Sequence, residues 1–216
     1  MNCDEKDGGK VYDFPMENLG VALYLLDVSS LPLDDLSLLY PEERERLARF
    51  RQDQDKALFL GGRLLIRHHV GPGKLEFRTE GKPFLPGGKE FSLSHAYPYV
   101  VLAVASSPVG VDVESLSRLE KSPVKDFYPA SDLEEYPDVG ELWCLKEAAF
   151  KCRGEGYFNP REALKKQGEG SFLYLGVPYF YQTTTREGHC LAVVAKQPFE
   201  VSLVLAQTLD LLSHRK

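Results

Sequence analysis

Residues 91–114 read FSLSHAYPYVVLAVASSPVGVDVE, and this stretch decides the predicted fold. It begins with alternating apolar and polar residues and continues as an apolar run, Tyr99 to Ala105, before a Ser-Ser-Pro turn at 106–108. Alternation is typical of a half-buried strand, whereas a short apolar run bounded by turn residues is typical of a fully buried one. We therefore predict two central strands joined at 106–108.

The preceding sequence predicts a first strand and then helix. Residues 21–28, VALYLLDV, form an apolar run suited to a buried strand, whereas the polar residues 1–18 are predicted to be loose. After Pro41, apolar residues recur at helical intervals among charged ones. This spacing predicts one or two helices, interrupted near Gly61 and Gly62.

The following sequence predicts surface structure, one compact helix and then short strands. Residues 115–140 are acidic and contain prolines, which favours surface helix and loop, and ELWCLKEAAFKCR at 141–153 predicts a helix ended by Gly154. Short apolar segments to the end of the chain predict strands. This order of elements indicates a duplicated α+β unit that divides near Ser107.

Composition limits the possible partners. The 216 residues include 26 Lys and Arg against 32 Asp and Glu, a formal charge of -6. Nonspecific binding to nucleic acid needs a basic surface, so this charge argues against it. An anionic ligand must therefore be held by a local cluster of cations.

Cysteine spacing and the apolar segments bear on location. Cys3, Cys144, Cys152 and Cys190 form no CxxC pair and have no zinc-site spacing, which predicts reduced thiols and a cytoplasmic protein. The amino terminus lacks the pattern of a signal peptide, and the longest apolar run is too short to cross a bilayer. No association with membranes is predicted.

The sequence GVDVE at 110–114 is the sharpest chemical signal. Two residues apart on a strand, Asp112 and Glu114 point to the same face. Mg²⁺ takes oxygen ligands and usually one or two protein carboxylates. Taken alone, such a pair is more often a solvated strand face.

The sequence WCLKEAAFK at 143–151 places Glu147 and Lys151 four residues apart, as neighbours on one helix face. The pair could serve a site, or it could be an ordinary helix salt bridge. Trp143 in the same segment fits a core residue better than a ligand contact.

Two further signals concern phosphate binding. Ser94 and His95 follow an apolar strand, and both side chains can donate hydrogen bonds to phosphate oxygens, although a lone histidine there is more often structural. A hydrolase triad is disfavoured because the chain has no G-x-S-x-G elbow. Gly81-Lys82-Pro83 could grip a nucleotide or could be only a turn, and the chain has no P-loop motif.

Together, these four motifs resemble the phosphopantetheinyl transferases of the surfactin-synthetase-activating (Sfp) type. That family reads GKP, then F-x-x-SH, then G-[VI]-D-[VI]-E, then W-x-x-KE-x-x-x-K, and this chain contains all four in that order. The resemblance covers most of the chain. It implies an α+β fold of two lobes related by a pseudo-two-fold axis, residues 1–107 and 108–216. Each lobe would be a small antiparallel sheet packed with helices, with the active-site cleft between them.

The resemblance also implies a metal site with catalytic residues. Asp112, Glu114 and Glu147 match the family's metal-binding carboxylates, and Lys151 matches a pyrophosphate contact. Glu147 is our hypothesis for the base that takes the proton of the attacking hydroxyl, directly or through a metal-bound water. Lys151 is the second predicted catalytic residue.

Residues for coenzyme A follow from the same resemblance. His95 matches a pyrophosphate contact, and Ser94 with His95 flanks the 3′-phosphate. Lys82 and Pro83 lie in the loop beside the adenine. Arg46, in PEERERLARF, falls where a cation for the 3′-phosphate is expected. One departure is Glu43, where the family often has a lysine, so the phosphate site could be arranged differently there.

The implied reaction is the Mg²⁺- or Mn²⁺-dependent transfer of 4′-phosphopantetheine from coenzyme A to a serine of an apo acyl or peptidyl carrier protein, with release of 3′,5′-ADP. The protein would act as a cytoplasmic monomer. One alternative is another Mg²⁺-dependent phosphotransferase or nuclease, which explains the carboxylates but not the other motifs. Others are a non-catalytic relative that binds coenzyme A or the carrier, and a structural or interaction protein.

Overall fold

A computed structural model describes residues 19–34, 36–79, 81–154 and 156–206. The predictions for residues 1–18 and for Cys3 lie outside the described residues. The first part of the chain forms β1 (Leu19–Asp27), α1 (Pro41–Ala48), α2 (Asp53–His69), β2 (Glu76–Phe77), β3 (Pro83–Phe84), β4 (Glu90–Ala96) and β5 (Tyr99–Ala105). The second part forms β6 (Val109–Ser115), α3 (Leu116–Glu120), a 3₁₀ helix (Pro123–Phe127), α4 (Ala130–Glu135), α5 (Val139–Arg153), β7 (Leu164–Gly168), β8 (Ser171–Tyr174), β9 (Val177–Arg186), β10 (His189–Ala195) and β11 (Phe199–Ala206).

Two main sheets organise these elements. The first has the strand order β11-β1-β5-β4, and the second has the order β6-β10-β9-β8-β7. Neighbouring strands are antiparallel except β1 and β11, which are parallel. The predicted α+β class of small antiparallel sheets packed with helices is confirmed. The division into lobes at residue 107 stays a prediction, and β11 lies in the sheet of β1.

The core of the described residues has three parts. Helix α2 packs on one face of the first sheet, and α5 packs on one face of the second sheet. Between the sheets, Val101 and Ala103 of β5 share a cluster with Val109, Val111 and Val113 of β6. Burial of these apolar faces stabilises the fold by about 25 cal/mol for each Å² removed from water. At this junction, β6 contacts both β4 and α5.

The glycines of α2 correct one prediction. The helix continues through Gly61 and Gly62 and is separated from α1 by residues 49–52, so the predicted interruption is wrong. A Cβ on Gly61 would lie 2.6 Å from Cγ1 of Val28, and one on Gly62 would lie 3.0 Å from Cδ2 of Leu93. The two glycines allow the helix to approach the sheet closely instead of breaking it.

The central segment contains three strands rather than the two predicted. The turn at 106–108 is present, but a second turn at Tyr97 and Pro98 separates β4 from β5. The predicted helix at 141–153 is confirmed within α5. Asp138 caps its start by accepting hydrogen bonds from the amides of Gly140 and Glu141, and Gly154 ends it with φ of 71°.

Candidate active site

The carboxylates of β6 face α5 because the strand alternates. Its valines pack between the sheets, whereas Gly110 and Asp112 lie on the opposite face, under the helix. A Cβ on Gly110 would lie only 1.8 Å from the carbonyl oxygen of Ala148. The glycine of GVDVE therefore lets the backbone of α5 contact β6, which brings Glu147 and Lys151 beside Asp112.

Asp112, Lys151 and Ser94 form one hydrogen-bonded cluster from three elements. Nζ of Lys151 donates to Oδ1 of Asp112 at 2.6 Å and to Oγ of Ser94 at 3.1 Å. Oγ of Ser94 donates to the same Oδ1 at 2.7 Å. Asp112 is only 3% exposed, and its buried Oδ2 has no hydrogen-bond partner among the described residues. The cluster thus joins β4, β6 and α5 and leaves one carboxylate oxygen unpaired.

Lys151 stays charged in this setting. Burial acts to lower the pKa of its ammonium group, but the negative charges of Asp112 and Glu147 outweigh burial, and the pKa is raised. A partly buried ammonium group held by a carboxylate is a cation available to an anionic ligand.

Glu147 is the group whose protonation the site changes most clearly. Burial raises the pKa of its carboxyl group to about 7, the charge of Lys151 opposes this rise, and the charges of Asp112 and Glu114 add to it. Ionised Glu147 is disfavoured first because its carboxylate is poorly hydrated and second because the carboxylates of Asp112 and Glu114 carry the same charge. A carboxyl group with this pKa can exchange a proton near neutral pH.

Glu114 is held by an arginine. Nε of Arg118 donates to Oε2 of Glu114 at 3.1 Å, and Nη2 donates to Oε1 in a short contact. The Glu114 side chain is 14% exposed, and that of Arg118 is 62% exposed. Both oxygens of Glu114 are therefore engaged from the solvent side.

A pocket of about 210 Å³ opens beside this cluster. It is lined by Gly81, Lys82, Pro83, Phe91, Ser92, Leu93, Phe150, Lys151 and Gly154. Burial lowers the pKa of Lys82, which the charge of Glu90 opposes, and Nζ of Lys82 lies 3.4 Å from the carbonyl oxygen of Val109. Two lysines and two phenylalanines thus meet at one concave surface.

The remaining predicted residues lie at different distances from this centre. His95 lies near the end of β4 and is exposed. Neighbouring protein atoms reduce the hydration of its ring and thereby lower its pKa, and the positive charge of Lys151 lowers this pKa further. Arg46 is exposed on α1, with its guanidinium 5.5 Å from the centre of the Phe59 ring. Their contacts with coenzyme A stay predictions.

Glu43 forms ion pairs within the protein. Its buried carboxylate pairs with Nε of Arg63 at 2.8 Å and with Nη2 of Arg67, and it accepts a hydrogen bond from the amide of Tyr40 at 3.0 Å. The acidic residue at this departure from the family pattern therefore ties α1 to α2.

The carboxylates fit a hard divalent cation by their chemistry. Within the described ranges, no three Asp, Glu, His or Cys side chains already converge as a ligand group. Lys151 holds Asp112, and Arg118 holds Glu114. The buried Oδ2 of Asp112 is an acceptor oxygen without a partner among the described residues, and an oxygen-binding cation such as Mg²⁺ would provide one. The metal set of Asp112, Glu114 and Glu147 stays a prediction.

Three residues of the site were not predicted from the sequence. Arg118 follows Glu114 by four residues, but the change from β6 to α3 between them hides this pairing. Ser92 is buried, and its Oγ accepts a hydrogen bond from the amide of Val111 at 3.1 Å, which joins β4 to β6. Phe150 lines the pocket, and the only available signal was its place in the KE-x-x-x-K segment.

Comparison with known proteins gives the family. The family model of the 4′-phosphopantetheinyl transferase superfamily matches residues 108–194, which include β6 and α5. A 4′-phosphopantetheinyl transferase of Bacillus subtilis is 32% identical over 183 residues, which cover 73% of this chain and 82% of that protein. The chain belongs to the 4′-phosphopantetheinyl transferase superfamily.

Other members of the family are also similar. The 4′-phosphopantetheinyl transferase Sfp of Bacillus subtilis strain 168 is 29% identical over 59% of this chain and 66% of its own length. A phosphopantetheinyl transferase of a Thraustochytrium species is 44% identical over 55% of this chain and 53% of its own length. The matched region spans between about half and about four-fifths of these relatives. The family predicted from the four motifs is confirmed.

None of the helices in the described part of the chain combines the length and apolar character needed to cross a membrane.

Proposed function

We propose that the protein transfers the 4′-phosphopantetheine group of coenzyme A to a serine of an apo acyl or peptidyl carrier protein and releases 3′,5′-ADP. The observation that carries this proposal is the junction of β4, β6 and α5. There, Asp112, Glu147 and Lys151 lie together beside a pocket that Lys82 and Lys151 also line. Family membership supports the same reaction.

The charges of the site suit coenzyme A. The chain carries a formal charge of -6, so the several phosphate charges of this substrate need local compensation. Lys151 and Lys82 supply it at the pocket, and His95 lies beside Lys151. Arg46 is our candidate for the 3′-phosphate, and the pocket loop with Lys82 and Pro83 is our candidate for the adenine.

The carboxylates suit a required divalent ion. Asp112, Glu114 and Glu147 would hold Mg²⁺ or Mn²⁺, which when bound polarises the phosphorus and offsets charge on the pyrophosphate. Asp112 would hold the ion through its unpaired Oδ2, because its Oδ1 accepts hydrogen bonds from Ser94 and Lys151.

The proton of the carrier serine needs an acceptor. Glu147 takes this proton as the serine oxygen forms a bond to the phosphorus that carries the pantetheine arm. The bond from this phosphorus to the bridging oxygen breaks, and that oxygen leaves as part of 3′,5′-ADP. Lys151 stabilises the charge that develops on the leaving group, since its ammonium is fixed at the site by Asp112.

We propose that the protein acts in the cytoplasm as a monomer and without nucleic acid. The net negative charge supports the absence of a nucleic-acid partner.

The test measures 3′,5′-ADP by chromatography after the protein is mixed with coenzyme A, Mg²⁺ and an apo carrier. We expect nucleotide release that needs the carrier and disappears when the carrier serine is changed to alanine. Glu147→Gln should lose most of the rate and still bind coenzyme A, whereas Glu134→Gln, an exposed change on α4, should keep it. Release that is independent of the carrier would indicate a phosphohydrolase instead, and full turnover by Glu147→Gln would exclude its role as the base.

A further inference from the structure

The three proposed metal ligands are not equally available. Oδ2 of Asp112 is unpaired among the described residues. Glu114 differs from Asp112, because the two-pronged guanidinium group of Arg118 (its fork) donates hydrogen bonds to both carboxylate oxygens of Glu114. A cation that binds Glu114 must displace this fork or share an oxygen with it.

Chain connectivity builds this contact. Strand β6 ends at Ser115, and α3 begins at the next residue. Arg118, in the first turn of α3, therefore lies against Glu114 near the end of β6. The arginine approaches from solvent, with 62% of its side chain exposed, whereas 14% of the Glu114 side chain is exposed. Arg118 can therefore leave the carboxylate without disturbing the core, and Glu114 remains in place.

The charge of Arg118 reaches beyond Glu114. Its guanidinium group is close enough to Glu147 for the two charges to interact. A positive charge near both carboxylates repels an incoming divalent cation, in addition to occupying one of its ligands.

We propose that Arg118 is a positioning residue that competes with the divalent cation for Glu114 and thereby weakens cation binding in the absence of coenzyme A. This inference rests on the metal set of the proposed function. Its consequence is that the free protein binds the cation less tightly than its carboxylates alone would allow.

The test is calorimetric titration of Mg²⁺ into chelator-treated protein without coenzyme A, checked with Mn²⁺ by electron paramagnetic resonance. Loss of one partly exposed ion pair and of one nearby positive charge should make Arg118→Gln bind Mg²⁺ about 5-fold more tightly than the unchanged protein. Arg118→Lys keeps the charge but loses the fork, so its affinity should lie between the two. Lys121→Gln removes the same charge at an exposed position next to α3, and its affinity should change by less than about 2-fold.

The outcomes separate this inference from the proposed function. Arg118→Gln affinity equal to or weaker than that of the unchanged protein would overturn the competition while leaving the metal site intact. An equal gain in Lys121→Gln would also overturn it, because general electrostatics would then explain the effect. If the unchanged protein binds neither Mg²⁺ nor Mn²⁺, both this inference and the metal part of the proposed function fail. The release of 3′,5′-ADP then tests the phosphopantetheinyl transfer independently. Should Arg118→Gln fail to fold, Arg118→Lys replaces it in the test. Arg118→Lys should then bind Mg²⁺ more tightly than the unchanged protein, and equal or weaker binding would overturn the competition.

Discussion

Replacing Glu147 with glutamine is expected to stabilise the metal-free protein at pH 8. The environment raises the pKa of this carboxyl group from an ordinary 4.5 to about 7. The folded state therefore holds the proton more tightly than the unfolded state, and stability is lost as the pH rises from about 4.5 to about 7. At 1.36 kcal/mol per pKa unit, ionised Glu147 costs the folded state about 3 kcal/mol, and partial exposure reduces this to about 2–3 kcal/mol.

The measurement is urea unfolding in the presence of a chelator, followed by circular dichroism at pH 8 and pH 5. Glutamine resembles the neutral acid, so Glu147→Gln should gain about 2–3 kcal/mol at pH 8 and less than about 1 kcal/mol at pH 5. Glu134→Gln, the same change at an exposed position on α4, should gain little at either pH. Mg²⁺ should then stabilise the unchanged protein more than Glu147→Gln, because a ligand stabilises the state that binds it.

A gain for Glu147→Gln that is as large at pH 5 as at pH 8 would refute this reasoning, since it would not come from ionisation. Absence of any gain at pH 8 would show that burial and the neighbouring carboxylates do not disfavour ionised Glu147.

Three further changes test other contacts. Lys151→Ala should lower the transfer rate by at least about 10-fold in kinetic assays and weaken coenzyme A binding in calorimetry. The change removes the cation that both lines the pocket and pairs with Asp112. Lys146→Met should destabilise the protein by about 3–5 kcal/mol in urea unfolding. The change leaves buried Asp132, which lies 2.6 Å from Nζ of Lys146, without its counter-charge. Adding Asp132→Leu should recover part of this loss. Gly110→Ala should lower the melting temperature strongly because its Cβ would meet the backbone of α5, whereas Gly20→Ala, with nothing within 4 Å, should change it little.

The sequence predicted those features that depend on local pattern or on an intact motif. The α5 segment carries helical spacing and ends at a glycine, and the structure has a helix there that ends at Gly154. The motifs also led us to expect Asp112 and Lys151 at one site, and the structure places their charged atoms 2.6 Å apart. The roles of these residues in the reaction stay predictions.

Features that depend on distant parts of the chain could not be predicted in the same way. Gly61 and Gly62 look like helix breakers locally, but their function follows from contacts with Val28 and Leu93 in the sheet. The parallel pairing of β1 with β11 joins strands from opposite ends of the described chain, which no local pattern reveals.

The electrostatics of the site are similarly non-local. Burial of Glu147 on the inner face of α5 and the negative charges of β6 together raise its pKa, and the sequence alone gives neither. The fork of Arg118 on Glu114 forms across the end of a strand and the start of a helix, where spacing rules for a single element do not apply.

Intact-mass spectrometry of an apo carrier protein tests the central claim most directly. After incubation with this protein, coenzyme A and Mg²⁺, the carrier should gain the mass of one phosphopantetheine group on its serine, and a chelator or Asp112→Asn should prevent the gain. A carrier that keeps its apo mass across several apo acyl and peptidyl carriers, although the protein is folded and binds coenzyme A, would contradict the assignment.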